Sequence, residues 1–316
     1  MNSLTSTGLT FKQLEKIFFE IGNEVARMQM QQFLEAADKD LEKSRNRAEL
    51  RHKGSRTTVI KTLMGEVAVK RNLYKRVKED GGVEHIFLLD EALGLDTIGN
   101  ISPNLVEKIV GHACEMSFRE VAEAVSGLTG QHISHQGVWD VVQAVGERQV
   151  EAEKELVIAY ERNELSGEKE VPALFEEADG LWLSMQGNSR KGSSHGKKEL
   201  KVGVIYEGWE KRYPSSKEYK TVEKMAFAGY MKPDEFKALR DAAIAGKYNV
   251  DEIQYRILGG DGATWIRNGH ETETDIFQLD AYHLAQSVVR NVSDKQAGRH
   301  ILRWLKAGEF EKVFDK

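Results

Sequence analysis

Two aspartates stand where folding alone gives little reason for them. Asp179 ends the apolar run Ala173-Leu174-Phe175-Glu176-Glu177-Ala178-Asp179, which reads as a strand continued by Leu181-Trp182-Leu183. A carboxylate facing a sheet interior is costly unless a cation balances it. Asp261 follows another strand-like run, in Gly259-Gly260-Asp261-Gly262, where the glycines permit close backbone approach. If these strands are neighbours, two carboxylates face each other, and such a pair attracts Mg2+ or Mn2+, hard cations that prefer oxygen ligands. The chemistry is then metal-assisted phosphoryl transfer, which needs no serine or cysteine nucleophile. Either aspartate alone reads first as a turn residue or strand-end cap, and it is their joint placement on the two expected strands that favours the metal pair. The Gly259–Gly262 segment lacks the lysine and helix spacing of a P-loop.

Asp280 and His283, in Leu279-Asp280-Ala281-Tyr282-His283-Leu284, close a strand and open a helix. Asp280 reads as an N-cap, and His283 near the same helix mouth has an accessory role toward phosphate or carboxylate. Between the first two strands, 189–198 carries Arg190, Lys191, Lys197 and Lys198. That loop is either a solvated hairpin loop or a clamp on DNA phosphates.

The elements that must position these groups form a mixed sheet. Beyond 171 the strand-like runs are 173–183, 200–206, 220–227, 254–260 and 276–279, with a helix from Pro233 to about Ala245 between the third and fourth. The first three suit an antiparallel meander. The order β-β-β-α-β-α-β-α is that of a ribonuclease-H-like sheet, in which the first and fourth strands are neighbours.

The first half has a different texture. From 10 to 46 there is no proline, and Phe11, Leu14, Phe18, Ile21, Val25 and Met28 recur at steps of three and four, which predicts a helix with a narrow apolar seam. The seam suits packing within the chain or, less readily, a contact with a second copy. Residues 45–78 hold eleven basic side chains against two acidic ones, a local balance of +9. There, 57–63 and 67–74 read as a β-hairpin around Met64-Gly65-Glu66. Its cations Arg51, Lys53, Arg56, Lys70, Arg71, Lys75 and Arg76 are candidates for the DNA backbone, and the alternative is a solvated charged face.

From 102 to about 155 the chain reads helical, with two start signals. Ser117-Phe118-Arg119-Glu120 fits a capping box, and Ile133 with Val138 fits a hydrophobic staple around Ser134. Helix, glycine-containing turn and helix make a helix-turn-helix, whose second helix presents His135 and Gln136 near its start, where base-reading side chains sit. The unit has a charge balance of −2 over 117–148, so the DNA reading leans on the basic segment upstream.

The whole chain has 316 residues, 45 Lys and Arg against 50 Asp and Glu, and 40% hydrophobic residues, enough for sizeable cores and too much for wholesale disorder. One cysteine, Cys114, argues against a disulfide framework or a zinc ribbon. With neither a signal-peptide pattern at the start nor an apolar run of membrane-helix length, the expected location is the cytoplasm, with no membrane partner. The expected architecture is α+β and multidomain. It comprises a long helix (1–50), a basic β-hairpin region (51–100), a helix-turn-helix region (101–160) and, after a Glu- and Gly-rich connector, a partial ribonuclease-H-like domain (171–316).

Glu177-Ala178-Asp179-Gly180 with Gln186, Gly260-Asp261-Gly262-Ala263-Thr264-Trp265-Ile266 and Leu279-Asp280-Ala281-Tyr282-His283-Leu284 resemble successive motifs of the bacterial ISLre-type insertion-sequence transposases. The hairpin around Met64-Gly65-Glu66-Val67 and the helix pair of 117–146 are similar to that family too, so the resemblance covers nearly the whole chain. It implies a DDE transposase acting on double-stranded DNA, at element ends and target, with Mg2+ or Mn2+, and a homo-oligomer as a further expectation. Asp179 matches the first catalytic aspartate and Asp261 the second. The third member, a glutamate in a Gly-x-x-Glu-x-Asn setting, is expected well beyond Asp280, and the chain reaches Lys316 without it. Gly308-Glu309-Phe310-Glu311 has the Gly-x-x-Glu spacing, but no asparagine follows. The resemblance thus implies a transposase lacking its C-terminal part, with weakened metal binding. The alternative is a DNA-binding protein without catalysis, a repressor or inhibitor derived from a transposase.

Overall fold

The computed structural model describes residues 8–78, 81–95, 97–191, 196–267 and 275–314, and the chain divides into two compact units, Met1–Val150 and Glu151–Lys316.

In the first unit, α1 (Phe11–Ser44) starts at Thr10 through a reciprocal cap in which Gln13 N donates to the threonine hydroxyl and Thr10 N donates to Gln13 Oε1 at 2.8 Å. The strands β1 (Leu50–Thr62), β2 (Gly65–Val77) and β3 (Val83–Phe87) form an antiparallel sheet in that order. The basic hairpin is longer than its β-branched runs suggest, because pairing continues from Thr62↔Gly65 out to Leu50↔Arg76 across a bulge between His52 and Ser55. One face of the hairpin buries Ile60, Val67 and Val69 against Leu34 of α1 and Leu89 of α2 (Leu88–Leu93). Arg27 fastens α1 to the hairpin turn by donating from Nη1 to Met64 O at 2.8 Å.

The stretch that reads as helical from 102 to 155 is three helices, α3 (Pro103–Ala113), α4 (Phe118–Thr129) and α5 (His135–Glu161). The Ser117–Glu120 capping box starts α4, and Gly130, at φ 67°, ends it in the left-handed conformation that favours glycine. Ile133 and Val138 are buried with Leu105, Ile109, Val121, Val125 and Val141 in one core, so the turn is pinned on both sides.

In the second unit the strands are β4 (Ala173–Ser184), β5 (Lys197–Tyr206), β6 (Gly208–Lys211), β7 (Tyr219–Val222), β8 (Met225–Gly229), β9 (Tyr255–Gly260) and β10 (Asp275–Leu279). Five of them form one sheet in the order β10-β9-β4-β5-β8. The β4–β5 and β5–β8 pairs are antiparallel, and β4–β9 and β9–β10 are parallel. The run 220–227, read above as one strand, is two: Glu223 has a φ of 53°, which breaks the extended backbone, so β7 pairs with β6 as a separate ribbon while β8 joins the sheet. Helix α6 (Pro233–Lys247) lays Phe236, Leu239 and Ile244 over Leu174, Ile205 and Phe227 on one sheet face. The connector before β4 is not a free linker. Gly167 N donates to Ala245 O at 2.9 Å, and Asn249 N donates to Lys169 O at 2.9 Å. After β9 come α7 (Thr264–Arg267), and after β10 the helices α8 (Ala281–Asn291), α9 (Lys295–Ala307) and α10 (Glu311–Phe314).

Candidate functional site

Strand alternation decides what the two sheet faces carry. Along β4, Leu174 and Glu176 point to α6, while Phe175, Glu177 and Asp179 point to the opposite face. The parallel register of β4 with β9, Phe175↔Ile257 and Glu177↔Gly259, has an offset of 82 residues. The same offset separates Asp179 from Asp261, which follows the last residue of β9, so the two stand where the register would continue by two residues. On β10, Gln278 pairs with Gly259, and the same extension brings Asp280 beside Asp261. Asp280 N donates to Gly260 O at 2.8 Å, tying the entry of α8 to the end of β9.

These residues line one cleft of about 530 Å³, together with Glu177, His283, Phe175, Tyr206 and Trp209. Asp179 is exposed and spends Oδ1 on its own neighbour, accepting from Gly180 N at 2.7 Å. Asp261 is exposed too and accepts from Ala263 N at 2.8 Å, also through Oδ1. In each case Oδ2 carries no hydrogen bond among the described residues and is available to a cation. Asp280 caps α8 by accepting from Tyr282 N and His283 N, and its Oδ2 lies 2.7 Å from His283 Nδ1. Burial acts to raise its carboxyl, but the Tyr282 amide and the histidine outweigh it and hold the group below the usual carboxylate range. Among the described residues no three His, Cys, Asp or Glu side chains lie close enough together to hold a metal. Asp179 and Asp261 form one carboxylate pair in the cleft, and Glu177 Oε2 likewise carries no hydrogen bond among the described residues. Such a pair suits Mg2+, which is bound through one or two carboxylates and completes its shell with water and substrate phosphate.

Sequence reasoning missed the other end of the cleft. Tyr206 OH donates to Glu177 Oε1 at 2.6 Å, and burial, then that acceptor, raises the phenol above its ordinary value. Phe175 stacks on Tyr206, and Trp209 packs tilted and edge-on against the two, with centroids 4.6–5.7 Å apart. The alternation of 175, 177 and 179 on one strand was the available signal for Glu177 and Phe175. Trp209, on short β6, had none.

Behind the sheet, Glu176 is 2% exposed and receives Arg256 Nε at 2.7 Å and Nη2 at 3.2 Å, with Arg240 Nε at 3.3 Å. Asp241 shares both guanidinium groups. This cluster joins β4, β9 and α6 on the sheet face opposite the cleft.

The predicted cationic residues divide into two groups. Arg51, Lys53, Arg56 and Lys70 are exposed and Lys75 half-buried, with no ion pair among the described residues. Arg71 differs: it is buried, paired with Asp90, bonded to Thr58 Oγ1 at 2.9 Å and set over the Phe87 ring. Arg76 is engaged by Glu91 at 2.7 Å and Glu84 at 3.1 Å. Both are structural cations because their positions on β2 face acidic residues of β3 and α2, which a charge count along the chain does not reveal. His135 and Gln136 are exposed at the start of α5, and Gln136 Nε2 donates to Asp140 at 3.0 Å. His135 also lines a shallow groove of about 410 Å³ with Arg119, Ser126 and His132. In the β4–β5 loop, 192–195 lie outside the described residues. Arg190 ends a short 3-10 turn (Gly187–Arg190), Lys191 and Lys197 are exposed, and Lys198, opposite Leu183, is on the cleft side of the sheet.

Fold and site together define an α+β protein with an acidic cleft on a mixed sheet in one unit and, in the other, a basic ribbon and the helices α3 to α5. The chain belongs to the UPF0236 family, described as an uncharacterised protein family, whose model matches residues 4–313. A UPF0236 protein of Caldanaerobacter subterraneus subsp. tengcongensis is 27% identical over 323 residues, covering 99% of this chain and 63% of its own length. A second from that organism, whose name joins eleven locus designations, is 26% identical and covers 98% of this chain and 62% of itself. A UPF0236 protein in the vanSb 3′ region of Streptococcus gallolyticus is 30% identical over 220 residues, 66% of this chain and 42% of its own. The chain thus spans less than two thirds of the length of these relatives. The crystal structure of a pre-cleavage Mos1 transpososome overlaps 57% of this chain and 59% of that chain at 12% identity, with a TM-score of 0.19, too low to define a shared fold. Among the described residues no helix is long and apolar enough to cross a membrane.

Proposed function

We propose that this chain is the DNA-binding and partial catalytic portion of a DDE-type transposase of the ISLre type, acting on double-stranded DNA with Mg2+ or Mn2+. The observation that carries the reading is the 82-residue offset that Asp179 and Asp261 share with the β4–β9 register, together with the one cleft that both line. The strand order and directions suit a ribonuclease-H-like sheet, and the resemblance of the three motifs supplies the reaction class. A relative whose name joins eleven loci of one organism suits a mobile gene. When bound, the metal would lower the pKa of an attacking water or 3′-hydroxyl and stabilise the leaving oxygen of the phosphodiester. The chain's own part is to present two carboxylate oxygens, one from within β4 and one just past the end of β9, two strands that the buried Glu176–Arg256 pair joins. Asp280 and His283 border the same cleft and are assigned an accessory contact to phosphate. Exposed cations of the β1–β2 ribbon, with Arg190, Lys191 and, at the start of β5, Lys197 and Lys198, hold the backbone, and His135 and Gln136 face the bases.

A second reading is favoured by one observation: among the described residues no third acidic side chain completes a metal site. The chain then binds DNA without cutting it, as a repressor or inhibitor of a longer copy. Nicking of supercoiled DNA with added Mg2+ or Mn2+ separates the two. The first reading expects metal-dependent nicking that Asp179→Asn and Asp261→Asn each reduce by at least about 10²-fold, the scale on which losing a central electrostatic group acts, with DNA binding retained. DNA binding without nicking at any metal concentration supports the second. Nicking that survives in the Asp179→Asn, Asp261→Asn double variant overturns the site assignment.

A further inference from the structure

Helix α1 is two different helices in its packing. From Arg27 on, it is docked: Met30, Leu34, Ala37 and Leu41 pack on the hairpin core, and Asp38 Oδ2 accepts from Asn72 N at 3.0 Å. Before Arg27, and at Met28, it carries an apolar seam that no described residue covers. Phe11 is 80% exposed, Phe18 69%, Ile21 49%, Val25 47% and Met28 49%. A free-standing helix of about sixteen residues is marginal in water, since most helical stability in proteins comes from packing an apolar face. An uncovered stripe of this kind marks a contact site.

We infer that the first half of α1 pairs with the same segment of a second copy of this chain, antiparallel, as a short coiled coil. The spacing of three, four, three, four, three places Phe11, Phe18 and Val25 at one core position of the heptad and Leu14, Ile21 and Met28 at the other. In the antiparallel arrangement, Phe11 of one copy meets Met28 of the other, Phe18 meets Ile21, and Leu14 meets Val25. Every layer then combines a larger with a smaller or more flexible side chain, which fills space without strain, and the thioether beside a ring is itself favourable. A parallel pair would set Phe11 on Phe11 and Phe18 on Phe18. The flanking positions hold only two charges, Glu15 and Glu24, and the antiparallel register sets Glu15 near Gly22 and Glu24 near Ile17, so no like charges meet. The area suffices as well. A phenylalanine side chain buries roughly 150–250 Å², so four rings that are 80% and 69% exposed supply about half of the ~1,200 Å² at which stable interfaces begin, and eight aliphatic side chains add to it. This pairing depends on α1 alone and is independent of the DNA reading.

Sedimentation velocity of the 316-residue protein across a dilution series tests it. The expected result is a concentration-dependent dimer that Phe18→Glu with Ile21→Glu converts to monomer, while the circular dichroism of the docked fold is kept. Phe33→Glu, at a position 65% exposed but off the seam, keeps the dimer. On a Cys114→Ser background, a mixture of Phe11→Cys and Met28→Cys chains crosslinks as a heterodimer, and Phe11→Cys alone does not. A monomer at all concentrations overturns the pairing, as does a dimer that survives Phe18→Glu with Ile21→Glu. Efficient Phe11→Cys self-crosslinking overturns its antiparallel direction.

Discussion

Glu176 and Glu177 are adjacent in sequence and opposite in consequence. Glu176 is sealed beneath the sheet between two guanidinium groups, while Glu177 faces the cleft and accepts a single bond from Tyr206. Removing one member of a buried ion cluster strands the charges left behind, typically at a cost of about 3–5 kcal/mol. Glu176→Ala is therefore expected to lower unfolding stability by about that much in a urea titration. Glu177→Ala, which gives up one hydrogen bond, should cost about 0.5–1.5 kcal/mol. Equal effects would show that the Arg240–Arg256 cluster does not hold β4 to β9. Asp38 makes the complementary case in the first unit. Burial raises its carboxyl above 3.8, and the Asn72 amide offsets this only in part. A folded-state pKa above the unfolded one means that the native state binds more protons, so this group's contribution to stability falls as pH rises from the unfolded value through the folded one. Asp38→Asn keeps an acceptor for Asn72 N and removes the charge. The variant should gain stability relative to the parent as pH rises through that window, and a difference independent of pH would rule out the buried charge as its source.

Elements set the site through close approaches that only glycine allows. A Cβ on Gly260, the last residue of β9, would lie 2.7 Å from Ile266 Cγ2 and 3.3 Å from Ala178 O. Gly260→Val must move either α7 or the strand end that carries Asp261, and overpacking of this kind costs about 1–3 kcal/mol. The variant is expected to melt lower and to lose metal-dependent nicking with both carboxylates still present. Full nicking in a destabilised Gly260→Val protein would detach Asp261 from the chemistry. Much of this scale was legible in the sequence. The capping box at Ser117, the glycine stop at Gly130 and the staple of Ile133 with Val138 are local signals, and local signals fix helix ends. The register offset equal to the Asp179–Asp261 separation was legible only through the expected neighbourhood of the two strands. The break at Glu223 was not, because a non-glycine residue at positive φ leaves no mark in composition. Nor was the aromatic end of the cleft, since Trp209 reaches it from a two-stranded ribbon outside the main sheet.

At the scale of the whole molecule, charge is what the two units divide between them. A chain with a net charge of −5 binds a polyanion only through cations that its own carboxylates leave free. The +9 stretch overstates that supply. Arg71 and Arg76 neutralise Asp90, Glu84 and Glu91, and Lys78 lies 3.2 Å from Glu84. Exposed Arg51, Lys53, Arg56 and Lys70 remain on the ribbon as the proposed contacts to a DNA backbone. Each phosphate neutralised contributes about 0.9 to the slope of log affinity against log salt on duplex DNA. Replacing these four with alanine is therefore expected to reduce the slope by up to about 3.6 in anisotropy titrations of a labelled duplex, with the melting temperature little changed. Arg71→Ala should do the reverse, lowering stability and leaving the slope of the folded fraction as it was. An unchanged slope in the fourfold variant would move the DNA off the ribbon. The helix-turn-helix, with its local charge of −2, would then have to bind through base contacts with little help from the backbone.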